Sequence, residues 1–264
     1  LSSPDEWLVD ALLGGMSSAG VNVTPVAALG VSTDYACVSV ISKAISSLPL
    51  SIYSLSPEGD RTLAVDHPLY ETLSLNPAKN MTTSEVMSAL VSNLVLRGNA
   101  YALLSRDGLG NVRSIVPIEP SDMNLQVHPQ TNELDYVVAG KKIARNRILH
   151  LKGLSSSGVV GFDTTTIARD TIGLAIALQD DLSTFFKNGA KMGSILMSDK
   201  NLKAEQVAKL RESFDLRHKG SGDSYKTAIL TDGLKPFTER FSYAESQLGE
   251  QKKHNTQEIA RTFG

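Results

Sequence analysis

Residues 96–118, LRGNAYALLSRDGLGNVRSIVPI, carry the signals on which the fold prediction depends. Gly98 is typical of a residue that ends a helix, because glycine adopts the left-handed backbone conformation without strain. Two strands are predicted after it, Ala100–Ser105 and Val112–Ile118, and residues 107–111 (DGLGN) between them are typical of a hairpin turn. The stretch therefore predicts a helix that runs directly into an antiparallel hairpin.

The residues before this stretch predict further helices. Thr82-Thr83-Ser84-Glu85 is a capping box, and the helix that it starts carries Val86, Leu90 and Leu94 on one face. A longer helix is predicted from Ser32 or Thr33 to Pro49, with a buried stripe at the spacing of one helix face. That stripe consists of Cys37, Ile41, Ala44 and Leu48. The other elements predicted in this part of the chain are a short helix at Trp7–Leu13 in an N-terminal arm, a strand at Leu50–Leu55 and a helix from His67 to Leu75.

The residues after it predict short strands, then a more helical second half. A long helix over 165–190 is predicted to be capped by Asp163 or by the threonines that follow it. Its apolar stripe consists of Ile167, Leu174, Ala175, Leu178, Leu182 and Phe185/Phe186. The predicted strands are Met123–Val127, Leu134–Ala139, Ile148–Lys152, Ser194–Met197, Lys226–Leu230 and Leu234–Phe241, with a basic turn at Lys141–Arg147 and a helix at Lys203–His218.

The last predicted helix is polar on nearly every side. It begins at a second capping box, Ser242-Tyr243-Ala244-Glu245, and its large apolar residues are Leu248, Ile259 and Phe263. A polar helix of this length is not stable alone, because it has too little apolar surface to bury. We therefore expect it to pack on neighbouring elements or on other copies of the chain.

Composition indicates an ordinary globular protein. The chain has 264 residues, 26 Lys+Arg against 28 Asp+Glu, a formal net charge of -2, and 41% hydrophobic residues. No apolar run approaches the ~18–20 residues that cross a bilayer, and the single Cys37 fits a reducing cytosol. The chain begins without Met and stops directly after a helical pattern, so we expect a fragment of a longer protein.

No sequence pattern predicts a catalytic, metal or cofactor site. Cys37 lies on a predicted buried stripe without a local partner histidine, and the Ser-rich loop at 153–158 lacks the glycine spacing of a nucleophile elbow. The chain has no phosphate-binding GxxxxGK[ST] motif. The five histidines are scattered and have no metal-ligand spacing, which favours surface or turn positions for each: His67, His128, His150, His218 and His254. The residues by themselves favour a structural, scaffolding or interaction role.

Several segments, in order and at consistent spacing from about residue 30 to the end, resemble the portal (head-to-tail connector) proteins of long-tailed bacteriophages. The longest is Leu96–Asp107, which continues through Gly110-Asn111-Val112 to Val116–Pro120. The others are Tyr35–Val38, Ser47–Leu50, Asp66–Tyr70, Ile148–Gly153, Phe185–Ala190 and Glu258–Gly264. Two features depart from the family. It usually continues past Phe263-Gly264 into Val-Pro-Pro, and its Thr-Pro-Glu-Gln helix start is Lys203-Ala204-Glu205-Gln206 here.

The resemblance implies an α+β portal-like subunit with a mixed α/β wing, a helical stem and a small α/β clip. Residues 1–164 would form the wing with its N-terminal arm, 165–190 the first stem helix, 191–241 the clip, and 242–264 the truncated second stem helix. The crown would be missing. The family forms a ring, usually of twelve subunits, at one vertex of the capsid, assembled in the host cytoplasm.

The resemblance also implies the partners. The terminase large subunit pumps double-stranded DNA through the axial channel without sequence specificity. Capsid, scaffold and head-tail adaptor proteins contact the ring. The resemblance implies no membrane, no enzyme activity and no cofactor. We expect Lys252, Lys253 and Arg261, or Lys187 and Lys191, to face the channel. Arg217, His218 and Lys219 are expected at the clip end, near the terminase or adaptor. Ion pairs between subunits are the alternative role for each of these residues.

Two other functions remain open at this stage. One is a hydrolase that uses Cys37 or His150, which would require the two side chains to meet in a pocket. The other is a host-encoded ring or adaptor protein with a fold derived from a prophage.

Overall fold

The computed structural model describes residues 15–127, 133–187, 195–198, 205, 207–209, 234–237 and 242–264. The chain divides into two compact units. Unit 1 comprises Leu1–Gly173 and Thr256–Gly264, and unit 2 comprises Leu174–Asn255. The predicted helix at Trp7–Leu13 and the predicted strand at Lys226–Leu230 lie outside the described residues.

Unit 1 is a mixed α/β unit. Its helices are α1 (Pro25–Leu29), α2 (Ser32–Ser46), α3 (Pro68–Ser74), α4 (Thr83–Arg97) and α5 (Thr164–Ile167), with single 3-10 turns at Pro120–Asp122 and Arg145–Arg147. Its strands are β1 (Gly15–Met16), β2 (Asn22–Val23), β3 (Tyr53–Leu55), β4 (Arg61–Leu63), β5 (Asn99–Arg106), β6 (Val112–Ile118), β7 (Met123–Val127), β8 (Leu134–Val138), β9 (Lys141–Ile143) and β10 (Ile148–Lys152).

The strands of unit 1 form two small hairpins and two three-stranded sheets, all antiparallel. The hairpins are β1–β2 and β3–β4, and the sheets have the orders β10–β5–β6 and β7–β8–β9. In the first sheet the central strand β5 places Tyr101 opposite both Ile118 and His150. The predicted β5–β6 hairpin is confirmed. Strands β1, β2, β4 and β9 were not predicted, and β9 occupies the first part of the predicted basic turn at Lys141–Arg147.

The core of unit 1 lies on both faces of the central sheet, because successive side chains of β5 point to opposite faces. Ala100 and Ala102 pack against Val86 and Leu90 of α4. On the other face Tyr101 packs in a second cluster with Met123, Leu134, Tyr136 and Ile148. Helix α2 packs on α4. The resulting order of layers is α2, α4, the β10–β5–β6 sheet, and the β7–β8–β9 sheet.

The start and end of α4 match the sequence prediction. Thr82 and Glu85 form the capping box, in which the Glu85 carboxylate accepts a hydrogen bond from the Thr82 backbone N–H at 2.7 Å. Gly98 ends the helix with φ +64°. A Cβ atom there would lie 1.7 Å from the Phe162 carbonyl oxygen. Only glycine therefore satisfies both the backbone conformation and the space at this junction.

The buried face of α2 differs from the predicted stripe. Asp34, Val38 and Ser42 are buried, whereas Ala44 is exposed and Leu48 is 64% exposed. Cys37 and Ile41 are half-buried. Small and apolar residues occur around most of this helix, so periodicity alone did not identify the face that packs on α4.

The predicted helix over 165–190 is interrupted at Ala168. It consists of α5, whose N-cap Asp163 accepts from the Thr166 N–H, and of α6 (Arg169–Lys187). The buried face nevertheless continues through the break, because Thr165, Ala168 and Ile172 are all buried at helical spacing. Ile167 and Leu174 of the predicted stripe lie on another face and are 64% and 46% exposed. Ile172, which was not assigned to that stripe, is 1% exposed.

Unit 2 contains most of α6, an antiparallel pair of strands and most of a long helix. The strands are β11 (Ile195–Ser198) and β12 (Leu234–Phe237), with Ile195 opposite Phe237. The long helix is α7 (Ser242–Phe263) and confirms the predicted polar helix. Within the predicted helix at 203–218, residues 205 and 207–209 are helical, and the rest lies outside the described residues.

Candidate functional site

Helix α7 presents a long polar surface. Its described side chains from Gln247 to His254 are exposed, and they include Glu250, Lys252 and Lys253. Two buried positions follow, Asn255 at 5% exposure and Ile259 at 1%. These two are four residues apart and share one face of the helix. The helix therefore has a narrow buried face near its C-terminal end and a broad solvated surface elsewhere.

Asn255 is an unusual residue at a buried position, because its side chain is polar. Neither its amide oxygen nor its amide nitrogen has a hydrogen-bond partner among the described residues. Leaving a buried polar group unpaired costs about 1–3 kcal/mol. The position therefore contributes less to the stability of a single subunit than an apolar residue would.

The structure describes four of the eight basic residues that were singled out from the sequence. Lys187 is the last residue of α6 and is exposed, as are Lys252 and Lys253. Arg261 is 67% exposed and forms an ion pair with Glu258, three residues earlier on α7. The other four lie outside the described residues: Lys191, Arg217, His218 and Lys219.

The exposed charges are balanced among those residues of unit 2 that the structure describes. Its described, exposed charged side chains are four acids and four bases, namely Asp180, Asp181, Glu205 and Glu250 against Lys187, Lys209, Lys252 and Lys253. Each firm contact between a basic side chain and a DNA phosphate strengthens binding steeply. A surface with equal numbers of acidic and basic side chains therefore attracts DNA only weakly. Such a surface suits transient contact with DNA better than tight binding.

A second polar cluster lies inside unit 1, around Asn99, the residue that follows the Gly98 helix stop. The Asn99 side-chain amide donates to the Gly161 carbonyl at 2.8 Å, and its oxygen accepts from the Gly161 N–H at 2.8 Å. His150 Nε2 lies 3.1 Å from the same Asn99 oxygen, and His150 Nδ1 lies 3.2 Å from the Tyr136 hydroxyl. The cluster joins β5, β8, β10 and the loop that contains Gly161.

His150 is a structural residue in this cluster, so the predicted surface or turn position was wrong for it. Burial, reinforced by the positive charges of Lys152 and Arg145, lowers the pKa of His150 to about 4. The neutral ring fits the geometry if Nε2–H donates to Asn99 and Nδ1 accepts from the Tyr136 hydroxyl. Its ring also contacts that of Tyr101 in a tilted arrangement, with a centroid distance of 4.6 Å and an interplanar angle of 36°.

The pair that a hydrolase would need is not formed. His150 and Tyr101 lie on the face of the central sheet opposite α4, whereas Cys37 is on α2, which packs on α4. Burial, and secondarily the nearby Asp34, raises the pKa of the Cys37 thiol. A nucleophilic cysteine needs the opposite shift.

Asp34 is a buried carboxyl that no sequence pattern indicated. It is 0% exposed, and neither of its oxygens has a hydrogen-bond partner among the described residues. Burial raises its pKa to about 7. Asp34 lies four and eight residues before Val38 and Ser42, and this spacing could have indicated that the three share the buried face of α2. An acid in the first turn of a helix is equally common at exposed positions, so the spacing alone did not predict burial.

The described part of the chain has neither a metal site nor a membrane-spanning helix. No group of three or more His, Cys, Asp or Glu side chains there has the arrangement of a metal site. Likewise, none of the helices described is long and apolar enough to cross a membrane.

Comparison with known proteins identifies relatives over most of the chain. The family model described as phage portal protein matches residues 32–264. The portal protein of Enterobacteria phage HK97 is 30% identical over 244 residues. This alignment covers 89% of the chain and 56% of the relative, so the chain spans little more than half of that protein's length.

Two solved structures share the fold. The crystal structure of an HK97-family phage portal protein from Corynebacterium diphtheriae matches with a TM-score of 0.65 and 17% identity, over 91% of this chain and 76% of that one. A chain from the neck of a native gene transfer agent particle, computed with C12 symmetry, matches with a TM-score of 0.57 and 20% identity, over 98% and 67%. Both confirm the mixed α and β fold class.

Proposed function

The chain belongs to the phage portal protein family, and we propose that it acts as a portal subunit in a ring at one vertex of a phage capsid. The axial channel of the ring admits DNA during packaging and releases it during ejection, and the ring is the attachment point for the tail. The observation that carries this proposal is the family match over residues 32–264, which includes the whole layered core of unit 1 and all of α7.

The proposed assembly is a closed ring of about twelve copies. A chain with the same fold occurs in a gene transfer agent neck computed with C12 symmetry, which supports this number. The polar surface of α7 supports assembly as well, because a helix with so little apolar surface needs neighbours or a wet channel on its other sides.

We assign the parts of the subunit as the family resemblance implies. Residues 1–164 are the wing, 165–190 and 242–264 are the two stem helices, and 191–241 are the clip. The interruption at Ala168 supports a change of structural role close to the proposed start of the first stem helix.

Lys252 and Lys253 on α7 are the proposed channel-facing residues that can be tested most directly, since both are described and exposed. Lys187, Lys191 and Arg261 complete the candidate set. Arg217, His218 and Lys219 are proposed to lie at the clip end, where the terminase large subunit packages DNA and the head-tail adaptor later binds.

The proposed role is structural, and the ATPase activity for packaging belongs to the terminase. The subunit would assemble in the host cytoplasm with capsid and scaffold proteins and would remain at the capsid vertex. The hydrolase alternative is not favoured, because Cys37 and His150 lie in different layers of unit 1.

The test is the solution mass of the full-length protein, measured by light scattering, with negative-stain imaging of the same peak. We expect a ring of about twelve subunits whose central hole admits duplex DNA, which is about 20 Å wide. A stable monomer or dimer, also in the presence of scaffold and capsid proteins, would contradict the proposal and favour the prophage-derived adaptor.

A further inference from the structure

The β3–β4 hairpin of unit 1 has an exposed apolar face. Tyr53 and Leu55 are two residues apart on one strand, and Tyr53 pairs directly with Leu63 on the other, so the three side chains share one face. Tyr53, Leu55 and Leu63 are 58%, 69% and 45% exposed. Arg61, which pairs with Leu55, lies on the same face at its end next to the turn. The opposite face is polar, with the Ser54 and Thr62 hydroxyls 2.7 Å apart.

This apolar face requires an explanation. A two-stranded hairpin is at best marginally stable by itself in water. Contiguous apolar side chains at the surface of a soluble protein mark interaction sites more often than isolated ones do. Val65, two residues after the hairpin, and Leu48, five residues before it, are also more than half exposed. The hairpin therefore has the composition of an arm that packs on a partner.

The charge of the hairpin limits what that partner can be. Glu58 and Asp60 lie in its turn and Asp66 follows it, against the single base Arg61, so residues 51–66 carry a net charge of -2. A negatively charged arm is repelled by DNA phosphates. A protein surface with a basic patch is the complementary partner.

The same chain carries such a patch. Strand β9 and the 3-10 turn after it contain Lys141, Lys142, Arg145 and Arg147, all exposed. Of these, Lys142 pairs with Asp135 at 2.6 Å. The patch is called the basic turn (residues 141–147) below.

The hairpin and the basic turn are tied to opposite edges of the central sheet. Ser74 of α3 donates to the Leu50 carbonyl just before the hairpin, and Thr72 of α3 donates to the Val112 carbonyl of edge strand β6. The basic turn instead leads directly into β10, the other edge strand. Two different, complementary patches on opposite sides of one unit are what a head-to-tail contact between copies requires.

We propose that the β3–β4 hairpin of one copy docks on the next copy, with its acidic turn against that copy's basic turn at 141–147. This inference rests on the proposed ring and specifies which surfaces of unit 1 close it. The apolar face formed by Tyr53, Leu55 and Leu63 is then covered by the neighbouring copy.

The test is a charge swap in the full-length protein. We expect Glu58→Lys/Asp60→Lys and Lys141→Glu/Arg145→Glu each to lower the fraction of chains in rings at least fivefold at 0.1 M salt. Combining all four substitutions should restore it to within twofold of the wild type. At 1 M salt each double substitution should lower the ring fraction less than at 0.1 M, since the Debye length falls from about 10 Å to about 3 Å.

The matched control is Asp122→Lys/Glu133→Lys, which reverses two exposed acids elsewhere on unit 1 and should leave the ring fraction unchanged. Single swaps that leave rings intact, or a combination that fails to restore them, would overturn the inference. If Lys141→Glu/Arg145→Glu lowers only the yield of packaged DNA, the basic turn contacts DNA and the inference is wrong.

A cross-linking experiment separates this inference from the proposed function. In a Cys37→Ser background, a chain with both Asp60→Cys and Arg145→Cys should give a ladder of disulfide-linked multimers, because a head-to-tail contact propagates. Either cysteine alone should give dimers at most. A wild type without rings would contradict the proposed portal function; absence of the ladder, with or without rings, would contradict the docking.

Discussion

Asn99 joins three segments that are distant in sequence. Its side chain bonds both the N–H and the carbonyl of Gly161, and its oxygen also lies within hydrogen-bond distance of His150. The sequence placed Asn99 directly after a helix stop, and nothing in its local pattern indicated these partners. These contacts connect the end of α4, the central sheet and the 153–162 loop.

Asp34 makes the stability of unit 1 depend on pH. Its folded-state pKa is raised from 3.8 to about 7, so the folded protein keeps a proton that the unfolded chain releases. The stabilising contribution is complete below about pH 4 and is lost as the pH rises through 7. We expect Asp34→Asn, which cannot ionise, to raise the free energy of unfolding at pH 8 by about 1–3 kcal/mol and to flatten its pH dependence, measured by urea denaturation at pH 5 and pH 8.

The control is Asp122→Asn, which changes an exposed acid in the same unit. It should leave the difference in unfolding free energy between pH 5 and pH 8 as in the wild type. If Asp34→Asn leaves that difference unchanged as well, the carboxyl of Asp34 is ionised in the folded protein and the prediction is wrong.

At the scale of elements, the junction between α4 and β5 depends on the absence of a side chain at Gly98. Gly98 and Gly110 both have positive φ, +64° and +87°, but only Gly98 faces another backbone, at Phe162. Both alanine substitutions incur the conformational cost of positive φ, about 1 kcal/mol, and Gly98→Ala adds a steric clash. We expect Gly98→Ala to lower the free energy of unfolding by at least 2 kcal/mol more than Gly110→Ala, measured by urea denaturation. Equal losses would show that the approach of Phe162 is not tight.

Helix α7 carries the prediction about the channel. Reversing Lys252 and Lys253 to Glu places two negative charges per subunit on a surface proposed to face DNA. We expect correctly assembled rings, because both side chains are exposed, and a severalfold lower yield of packaged DNA, because phosphates are repelled.

Lys43→Glu/Lys79→Glu is the matched control, since it reverses two exposed lysines of unit 1 and should leave packaging unchanged. Assembled Lys252→Glu/Lys253→Glu rings with a normal packaging yield would remove the channel role. Loss of the rings themselves would instead support a subunit-interface role for the two lysines.

At the scale of the whole molecule, charge balance predicts weak binding of DNA. The chain has a formal net charge of -2, and the described, exposed charges of unit 2 cancel. We expect assembled rings to bind a short duplex at physiological salt no more tightly than the weak end of non-specific binding, about 10⁻⁴ M, with a shallow salt dependence. Fluorescence anisotropy of a labelled duplex, titrated at several salt concentrations, measures both quantities. Micromolar affinity with a steep slope would contradict this expectation and indicate a firm phosphate-binding surface.

Local signals in the sequence were sufficient for much of the element order. The capping box at Thr82 and Glu85, the helix stop at Gly98, the hairpin turn at 107–111 and the polar helix from Ser242 were all predicted and are all present. Each depends on residues within a few positions of one another, so a single sequence contains the whole signal. The order and spacing of short motifs were likewise sufficient to identify the family.

Tertiary structure decided what depends on contacts between distant residues. The buried face of α2, the interruption at Ala168 and the exposed face of the β3–β4 hairpin follow from which elements pack together, and periodicity does not specify the partner. The same holds for His150, whose role comes from Asn99, 51 positions away, and from Tyr136. Short-range interactions set the elements from the sequence alone, whereas burial and hydrogen bonding across the layers became determined only when the chain folded.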